Sequence, residues 1–260
     1  MVADSADRHG SRLMATPAAT KPLLLLRHAQ SLWNLENRFT GWADVGLTDN
    51  GREEARRAGA LLRAQGYRFD RAFTSQLRRA TETLDIVLRE LGQENLPVGR
   101  SWRLNERHYG SLEGLDKAAF AAAHGEDALH RMRRGYRDRP APLAPDDPRH
   151  PRHQGIYRDV DPALLPATES LADTRARLLP YWNDTIAPAM ARGERVLVVS
   201  HGNTLRALLM HLEEMTEREV EQFEIPTGRP LVVEFASDGN FLRRNYLDAP
   251  VAAPTNNASG

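Results

Sequence analysis

Short apolar runs alternate along this sequence with longer stretches that have helical spacing. An uninterrupted apolar run of about four to eight residues is typical of a strand buried on both faces of a sheet. Residues 231–235 and 241–246 flank a Ser-Asp-Gly-Asn tetrapeptide, which predicts a β-hairpin. The other predicted strands are 23–26, 72–74, 97–99 and 195–200.

Helical spacing of apolar residues predicts most of the other elements. The segment 77–91 places leucine, alanine and valine on one face and ends before Gly92, a residue that commonly terminates helices. Thr216 and Glu219 form the capping box of a short helix. The predicted helices are 48–65, 77–91, 116–124, 126 to about 137, 171–186 with a kink or break at Pro180, 203–212, and one that begins after 216.

The order of these elements predicts the fold class. Strands that alternate with helices imply a three-layer α/β/α fold with a mostly parallel central sheet. Prolines accumulate between 139 and 166, which excludes a regular helix or a central strand there. We predict one domain at 21–248 with a Pro-rich excursion at about 139–167. A disordered leader at 1–20 and a mobile tail at 249–260 would flank it.

Charge and composition limit the kinds of partner that we expect this protein to bind. Lys and Arg number 35, as do Asp and Glu, so no global field favours nucleic acid or an anionic membrane. No apolar stretch is long enough for a signal peptide or a transmembrane helix. The chain has no cysteine, which excludes disulfides, thiolate metal sites and a cysteine nucleophile. We expect a cytoplasmic protein whose anion sites come from local clusters of arginine.

Two histidines follow two of the predicted strands. His28 lies beyond the 23–26 strand, next to Arg27, and His201 directly follows the 195–200 strand. Ligands of open parallel sheets bind beyond the carboxyl ends of the strands. If these two strands are neighbours, both imidazoles and Arg27 meet in one crevice. One histidine after a strand is more often structural, but two such histidines indicate a functional site.

Such a pair suits phosphoryl transfer. A neutral imidazole is nucleophilic near pH 7 and can accept a phosphoryl group. That group carries nearly two negative charges, which the planar guanidinium of arginine binds through paired hydrogen bonds. A second histidine, when protonated, can stabilise the oxygens during transfer.

A third segment, 101–110, places the carboxylate of Glu106 among Arg103, Arg107 and His108. A charge run of this kind is usually a solvated ion-pair turn. Here it follows the predicted 97–99 strand, so it can reach the same crevice.

These segments together resemble the phosphoglycerate mutases that depend on 2,3-bisphosphoglycerate, a branch of the histidine phosphatase superfamily. An Arg-His pair alone would mark only the superfamily, whereas the Phe-Thr-Gly-Trp and Leu-Asn-Glu-Arg-His-Tyr-Gly blocks are more specific to the mutases. The resemblance covers residues 23 to about 248 and implies a phosphoglycerate mutase-like fold. Its motifs are Leu26-Arg27-His28-Ala29-Gln30-Ser31-Leu32-Trp33-Asn34, Asn37-Arg38-Phe39-Thr40-Gly41-Trp42, Thr74-Ser75-Gln76-Leu77-Arg78-Arg79-Ala80, Trp102 through Gly110, Gly114-Leu115-Asp116-Lys117 and Ser200-His201-Gly202-Asn203.

The resemblance implies a role for each matching residue. His28 would be the phosphohistidine, Glu106 the proton donor and acceptor, and His201 a group that stabilises the transition state. Arg27 and Arg79 would bind the phosphoryl group in transit. The residues implied to hold the substrate are Ser31, Asn34, Thr40, Gly41, Arg107, Tyr109, Lys117, Arg133, Arg134, Gly202 and Asn203.

The implied reaction interconverts 3-phosphoglycerate and 2-phosphoglycerate, a step of glycolysis and gluconeogenesis. The substrate is a small phosphorylated three-carbon acid, and 2,3-bisphosphoglycerate serves as the priming phosphate donor. No metal is expected, and no His, Asp or Glu spacing indicates one. The resemblance also implies a homodimer or a tetramer.

Three features depart from the family pattern. Ala29 stands where glycine is usual, and Gln30 stands where glutamate is common. The segment 248–260 has no Lys or Arg, whereas family members often carry a lysine-containing segment that closes the site. A poorly closed site would admit water to phospho-His28 and favour hydrolysis. Two alternatives therefore remain: a histidine phosphatase acting on another phosphoester, and a catalytically silent binding protein that retained the pocket.

Overall fold

A computed structural model describes residues 21–247, which form an α/β fold around one six-stranded sheet. The order of the strands across the sheet is β3-β2-β4-β1-β5-β6. The first four are mutually parallel, β5 is antiparallel to β1, and β5 and β6 form the predicted hairpin. The strands are β1 Leu23–Arg27, β2 Arg71–Thr74, β3 Val98–Arg100, β4 Val196–Ser200, β5 Leu231–Phe235 and β6 Phe241–Tyr246.

The helices lie close to their predicted positions. The short first helix was not predicted, because it has only one turn and no apolar period. The helices are α1 Leu32–Leu35, α2 Asp49–Ala64, α3 Arg78–Leu91, α4 Lys117–His124, α5 Glu126–Arg134, α6 Leu171–Tyr181, α7 Ala187–Ala191, α8 Gly202–Leu212 and α9 Glu217–Gln222.

Alternate residues of the central strands face opposite layers. Leu23 and Leu25 of β1 belong to a core with α6 and α8, whereas Leu24 and Leu26 belong to a core with α2 and α3. All four leucines are at most 1% exposed. A strand that buries both faces explains the uninterrupted apolar run. The three-layer α/β/α fold with a mostly parallel sheet is therefore confirmed.

Two helix ends differ from prediction. Helix α5 ends at Arg134, three residues before the predicted end, because Gly135 takes a non-helical ψ of 139°. A Cβ at Gly135 would lie 2.1 Å from Asp138 Oδ2, so this turn requires glycine. Helix α6 passes through Pro180 and continues as a π-helical turn, Trp182–Ile186, rather than breaking at the proline. Proline has no N–H to donate, so the helix continues past Pro180 with one intrahelical hydrogen bond fewer.

The Pro-rich segment contains only single 3₁₀ turns, at Pro151–His153, Gly155–Tyr157 and Pro162–Leu164, as its composition predicted. The predicted leader at 1–20 and the tail at 249–260 lie outside the described residues.

Candidate active site

The two histidines meet at the carboxyl ends of adjacent strands. β1 and β4 pair in parallel from Leu23 with Val196 to Arg27 with Ser200, and the His28 N–H donates to the Ser200 carbonyl at 2.8 Å. The two imidazole centroids lie 5.0 Å apart with their planes at 60°. His28 is 3% exposed and His201 is fully buried. The neighbouring strands that the sequence argument required are thus present.

The surroundings of His28 leave one ring nitrogen available as a nucleophile. His28 Nδ1 lies 2.7 Å from the Ala29 carbonyl oxygen, which can only accept a hydrogen bond. Nδ1 therefore carries the proton and Nε2 keeps its lone pair. Burial, with smaller contributions from Arg79 and Arg27, lowers the pKa of His28 well below its ordinary value. The imidazole is therefore neutral near pH 7.

His201 stands beside His28 with a free ring nitrogen. Its Nε2 lies 2.8 Å from Ser75 Oγ, and that oxygen also accepts the Leu77 N–H at 3.1 Å. The serine hydroxyl can then donate to Nε2, which favours a proton on Nδ1. Nδ1 is buried and has no hydrogen-bond partner among residues 21–247. Burial and then Arg79 lower the pKa of His201 well below its ordinary value.

Two arginines, the partly buried Arg27 and the buried Arg79, bring positive charge to His28. Arg27 Nη1 donates to the Ile225 carbonyl at 2.7 Å, while its Nε is buried without a hydrogen-bond partner in the described part of the chain. Arg79 donates through Nη1 and Nη2 to the carbonyls of Ala43 and Gly41 at 2.9 and 2.8 Å. Burial lowers the pKa of Arg79 to about 10, so it is still charged at pH 7.

His28, Arg27 and Arg79 line a cavity of about 580 Å³, including its open mouth. Most of the predicted site residues line it too. The lining residues that the sequence predicted are Arg27, His28, Asn34, Thr40, Gly41, Arg79, Glu106, Tyr109, Lys117, Arg133, Arg134, Gly202 and Asn203.

Ser31 and Arg107, two of the predicted site residues, lie outside the cavity lining. Ser31 is the N-cap of α1, where its hydroxyl accepts the Asn34 N–H at 3.3 Å. Arg107 is fully buried, donates to the Met132 carbonyl and lies over the Tyr109 ring at 4.6 Å. Each residue supports a lining residue. His201 also lies outside the lining, against the ring of His28.

Glu106 projects one carboxylate into this cationic cavity. Its Oε1 accepts the backbone N–H groups of Arg107 at 2.7 Å and of Asn203 at 3.2 Å. The residue is 9% exposed. These two N–H groups fix the carboxylate while leaving it lone pairs with which to accept a proton from a ligand.

A buried ion pair holds the loop that carries Glu106. Arg177 binds the carboxylate of Glu169 through Nε and Nη2 at 2.6 and 2.9 Å. The same guanidinium donates to the carbonyls of Trp102, Arg103, Asn105 and Glu106. Neither side chain is more than 6% exposed. A paired, fully engaged guanidinium of this kind fixes backbone position.

Helices α4 and α5 supply three further cations of the cavity, Lys117, Arg133 and Arg134. Lys117 Nζ donates to the Arg38 carbonyl at 2.6 Å, and burial followed by Arg133 lowers the pKa of Lys117 to about 8. Arg134 Nη2 lies 2.6 Å from Oε1 of Glu224. Six cationic side chains line the cavity, against two carboxylates, Glu106 and Glu224.

Sequence reasoning missed four residues around the site. Arg38 and Glu224 line the cavity but follow no predicted strand, and Arg38 was quoted only as part of a motif. Arg177 and Glu169 bind the backbone of the loop that carries Glu106 and do not line the cavity. Neither residue belongs to a motif that carries chemistry. A Glu and an Arg eight positions apart give no signal of a buried pair.

The chain belongs to the histidine phosphatase superfamily, branch 1, whose family model matches residues 23–247. The superfamily is one of enzymes that transfer or hydrolyse phosphoryl groups. This match does not separate mutases from phosphatases.

Solved structures with similar folds include several enzymes named as phosphatases. A mycobacterial glucosyl-3-phosphoglycerate phosphatase gives a TM-score of 0.65 at 23% identity, covering 88% of this chain and 99% of its own. The alpha-ribazole phosphatase of Shigella flexneri gives 0.64 at 20%, covering 89% and 98%. The YhfR protein of Bacillus stearothermophilus gives 0.62 at 26%, covering 85% and 94%. These similarities support the fold.

A search of residues 21–247 finds neither a helix long and apolar enough to cross a membrane nor a group of three or more metal-ligating side chains.

Proposed function

We propose that the protein is a 2,3-bisphosphoglycerate-dependent phosphoglycerate mutase. The observation that carries this proposal is the set of cations in the cavity. Arg27 and Arg79 lie beside the nucleophilic histidine, while Lys117, Arg133 and Arg134 come from two helices outside the sheet. Lys117, Arg133 and Arg134 are suited to bind further anionic groups of a substrate, such as a carboxylate and a second phosphate.

The residues present fit the priming donor. The unpaired buried Arg27 Nε and His201 Nδ1 are N–H groups without an acceptor among the described residues, as expected of groups that bind phosphate oxygens. When bound, 2,3-bisphosphoglycerate supplies the phosphoryl group that His28 carries.

The geometry supports the following roles for the chain's own residues. His28 Nε2 forms the bond to phosphorus, and Arg27 and Arg79 balance the charge on the transferred oxygens. Phosphorylated His28 then gives its group to the free hydroxyl of 3-phosphoglycerate, while Glu106 takes the proton of that hydroxyl. His28 next accepts the phosphoryl group from the other hydroxyl, and Glu106 returns the proton, which leaves 2-phosphoglycerate.

The charge on His201 changes during this cycle in our proposal. Burial and then the nearby arginines keep His201 neutral in the free site, and a dianionic phosphoryl group bound nearby offsets the arginines. Its pKa then rises, and a protonated imidazole stabilises the oxygens in transit.

A phosphoester hydrolase is the second candidate, because several structures of similar fold are named as phosphatases. Hydrolysis needs the same histidine and arginines but a water molecule in place of the second hydroxyl. His28 lines a cavity with an open mouth, so a water molecule can reach it.

One assay separates the two candidates. The full chain is incubated with 3-phosphoglycerate in EDTA, with and without a trace of 2,3-bisphosphoglycerate, and both 2-phosphoglycerate and free phosphate are measured. Isomerisation that requires the trace bisphosphate is the expected result. Phosphate release without isomerisation would favour the hydrolase instead, and absence of both products would contradict the mutase.

A further inference from the structure

Glu224 is an unusual residue for the place that it occupies. It lines a cavity whose other ionisable side chains are mostly cationic, and its Oε1 pairs with Arg134 at 2.6 Å. Burial opposes its ionisation, but the hydrogen bond from Arg134, with Arg27 and Arg133 nearby, lowers the pKa of the Glu224 carboxyl below its ordinary value. The group is therefore an anion at pH 7, inside a site for anions.

Glu224 differs from the other carboxylate of the cavity. Glu106 is 9% exposed and is held by two backbone N–H groups, so it has a fixed position. The Glu224 side chain is 62% exposed, whereas Arg134, its partner, is 18% exposed. An exposed ion pair is weak and can be replaced by another anion at small cost.

The backbone under Glu224 is anchored to the phosphoryl end of the cavity. Arg27 Nη1 donates to the carbonyl of Ile225 at 2.7 Å, and the Tyr246 hydroxyl donates to the carbonyl of Glu224 at 3.4 Å. Because the backbone is held, the Glu224 carboxylate stays near Arg134 even when a ligand displaces it. Its charge therefore repels a bound anion as well as competing for the guanidinium.

This repulsion depends on the charge of the ligand. By Coulomb's law, the interaction of Glu224 with a bound ligand grows in proportion to the charge that the ligand carries near Arg134. A second phosphate, with nearly two charges, is repelled more than a hydroxyl in the same place.

We propose that Glu224 is a specificity-determining residue that competes with the ligand for Arg134, and so weakens binding of a bisphosphorylated three-carbon acid more than binding of its monophosphorylated counterpart. The inference rests on the proposed function, which requires the cavity to hold both kinds of ligand. In the mutase cycle, Glu224 limits how long the bisphosphorylated species stays bound.

The test compares binding by Glu224→Gln with binding by the unsubstituted residue. All variants carry His28→Asn, which prevents phosphoryl transfer while leaving a neutral polar side chain. Glu217→Gln is the matched control, because Glu217 forms an ion pair with Arg137 at 2.5 Å and lies outside the cavity lining. Affinities for 2,3-bisphosphoglycerate and for 3-phosphoglycerate are measured by titration calorimetry at low and high salt.

Glu224→Gln should bind 2,3-bisphosphoglycerate about threefold to tenfold more tightly, and 3-phosphoglycerate more tightly by a smaller factor. Both gains should shrink at high salt, and Glu217→Gln should bind as its parent does. Equal affinities in the Glu224 variant and its parent, or an equal gain for both ligands, would overturn the inference and leave the mutase proposal standing. Failure of the parent to bind either ligand would overturn the mutase proposal itself.

Discussion

At the scale of single residues, Gly41 shows how closely the site is packed. Its φ is +54°, a region that residues with a Cβ rarely adopt, and a Cβ there would lie 2.0 Å from Glu113 Oε1. That carboxyl is buried and accepts the Trp42 N–H at 2.6 Å, so it cannot move away without losing this bond. The Gly41 carbonyl in turn accepts a hydrogen bond from Arg79.

Gly41→Ala should therefore lower the free energy of unfolding by more than the strain of a positive φ alone would. Gly66 is the matched control, because its φ is +74° and a Cβ there would meet no atom within 4 Å. We expect Gly66→Ala to lower the free energy of unfolding by about 1 kcal/mol and Gly41→Ala by about 2–4 kcal/mol. Urea denaturation measures both values. Equal losses in the two variants would show that the Glu113 contact imposes no constraint.

The positions of some site residues could be predicted from the sequence, and those of others could not. His28 and His201 were predictable, because each follows an apolar strand and the ends of parallel strands meet. The position of Arg107 was not, because a side chain in an Arg-rich loop can point into the cavity or away from it. Here it points toward the α5 carbonyls. Glu224 gave no signal, because its place is set by packing of distant segments.

At the scale of elements, the Arg177–Glu169 pair links the start of α6 to the loop that carries Glu106. The carboxylate of Glu169 also accepts the His108 N–H at 2.9 Å, so the pair holds both ends of the loop. Breaking a buried ion pair of this kind typically costs about 3–5 kcal/mol. A conservative variant is therefore the better probe of function.

Arg177→Lys keeps the charge but loses the planar fork that reaches several carbonyls. The Glu106 carboxylate should then be misplaced, which lowers kcat by about tenfold or more and leaves KM nearly unchanged. Arg139→Lys is the control, because its pair with Asp173 is at the surface. Steady-state kinetics with 3-phosphoglycerate measure both constants. A raised KM with an unchanged kcat would contradict a positioning role for Arg177.

Most elements were predictable because local spacing and turn residues determine them. The apolar runs of β1 and β4, the hairpin and the Thr216 capping box all appear where expected. The order of the strands across the sheet was not predictable, because it depends on contacts between residues far apart in the sequence. The π-helical turn Trp182–Ile186 is a local feature that apolar spacing does not reveal.

At the scale of the whole molecule, a chain of zero net charge concentrates cations in one cavity and buries several neutral histidines. Burial lowers the pKa of His28 and His201 well below 6.5 and that of His108 to about 3. Burial raises the pKa of Glu113 to about 7. These groups make the stability of the fold depend on pH.

The sign of that dependence follows from the protons bound in each state. Below pH 6.5 the unfolded chain protonates all three histidines and the folded chain does not, so acid destabilises the fold. Between pH 4.5 and 7, Glu113 holds a proton only when folded and offsets one histidine. The net difference from these four groups is about two protons. The free energy of unfolding should therefore fall by about 2.7 kcal/mol for each unit by which the pH is lowered near pH 5.5.

Urea denaturation at several pH values between 5 and 8 measures this slope. Glu113→Gln removes the opposing group, so its slope near pH 5.5 should be steeper by about 1.4 kcal/mol per pH unit. A stability that is flat across this range would contradict the neutral, buried state of the histidines.

The most direct test of the account is the identity of the phosphorylated residue. The full chain and its His28→Ala variant are incubated with 2,3-bisphosphoglycerate labelled in phosphate, and the label is located by peptide mapping at alkaline pH. His130→Ala is a control, because His130 is exposed and lies outside the cavity lining.

The account predicts acid-labile label on the peptide that contains His28, in the unmodified chain and in His130→Ala, and none in His28→Ala. Label that persists in His28→Ala, or that maps to another peptide, would contradict it.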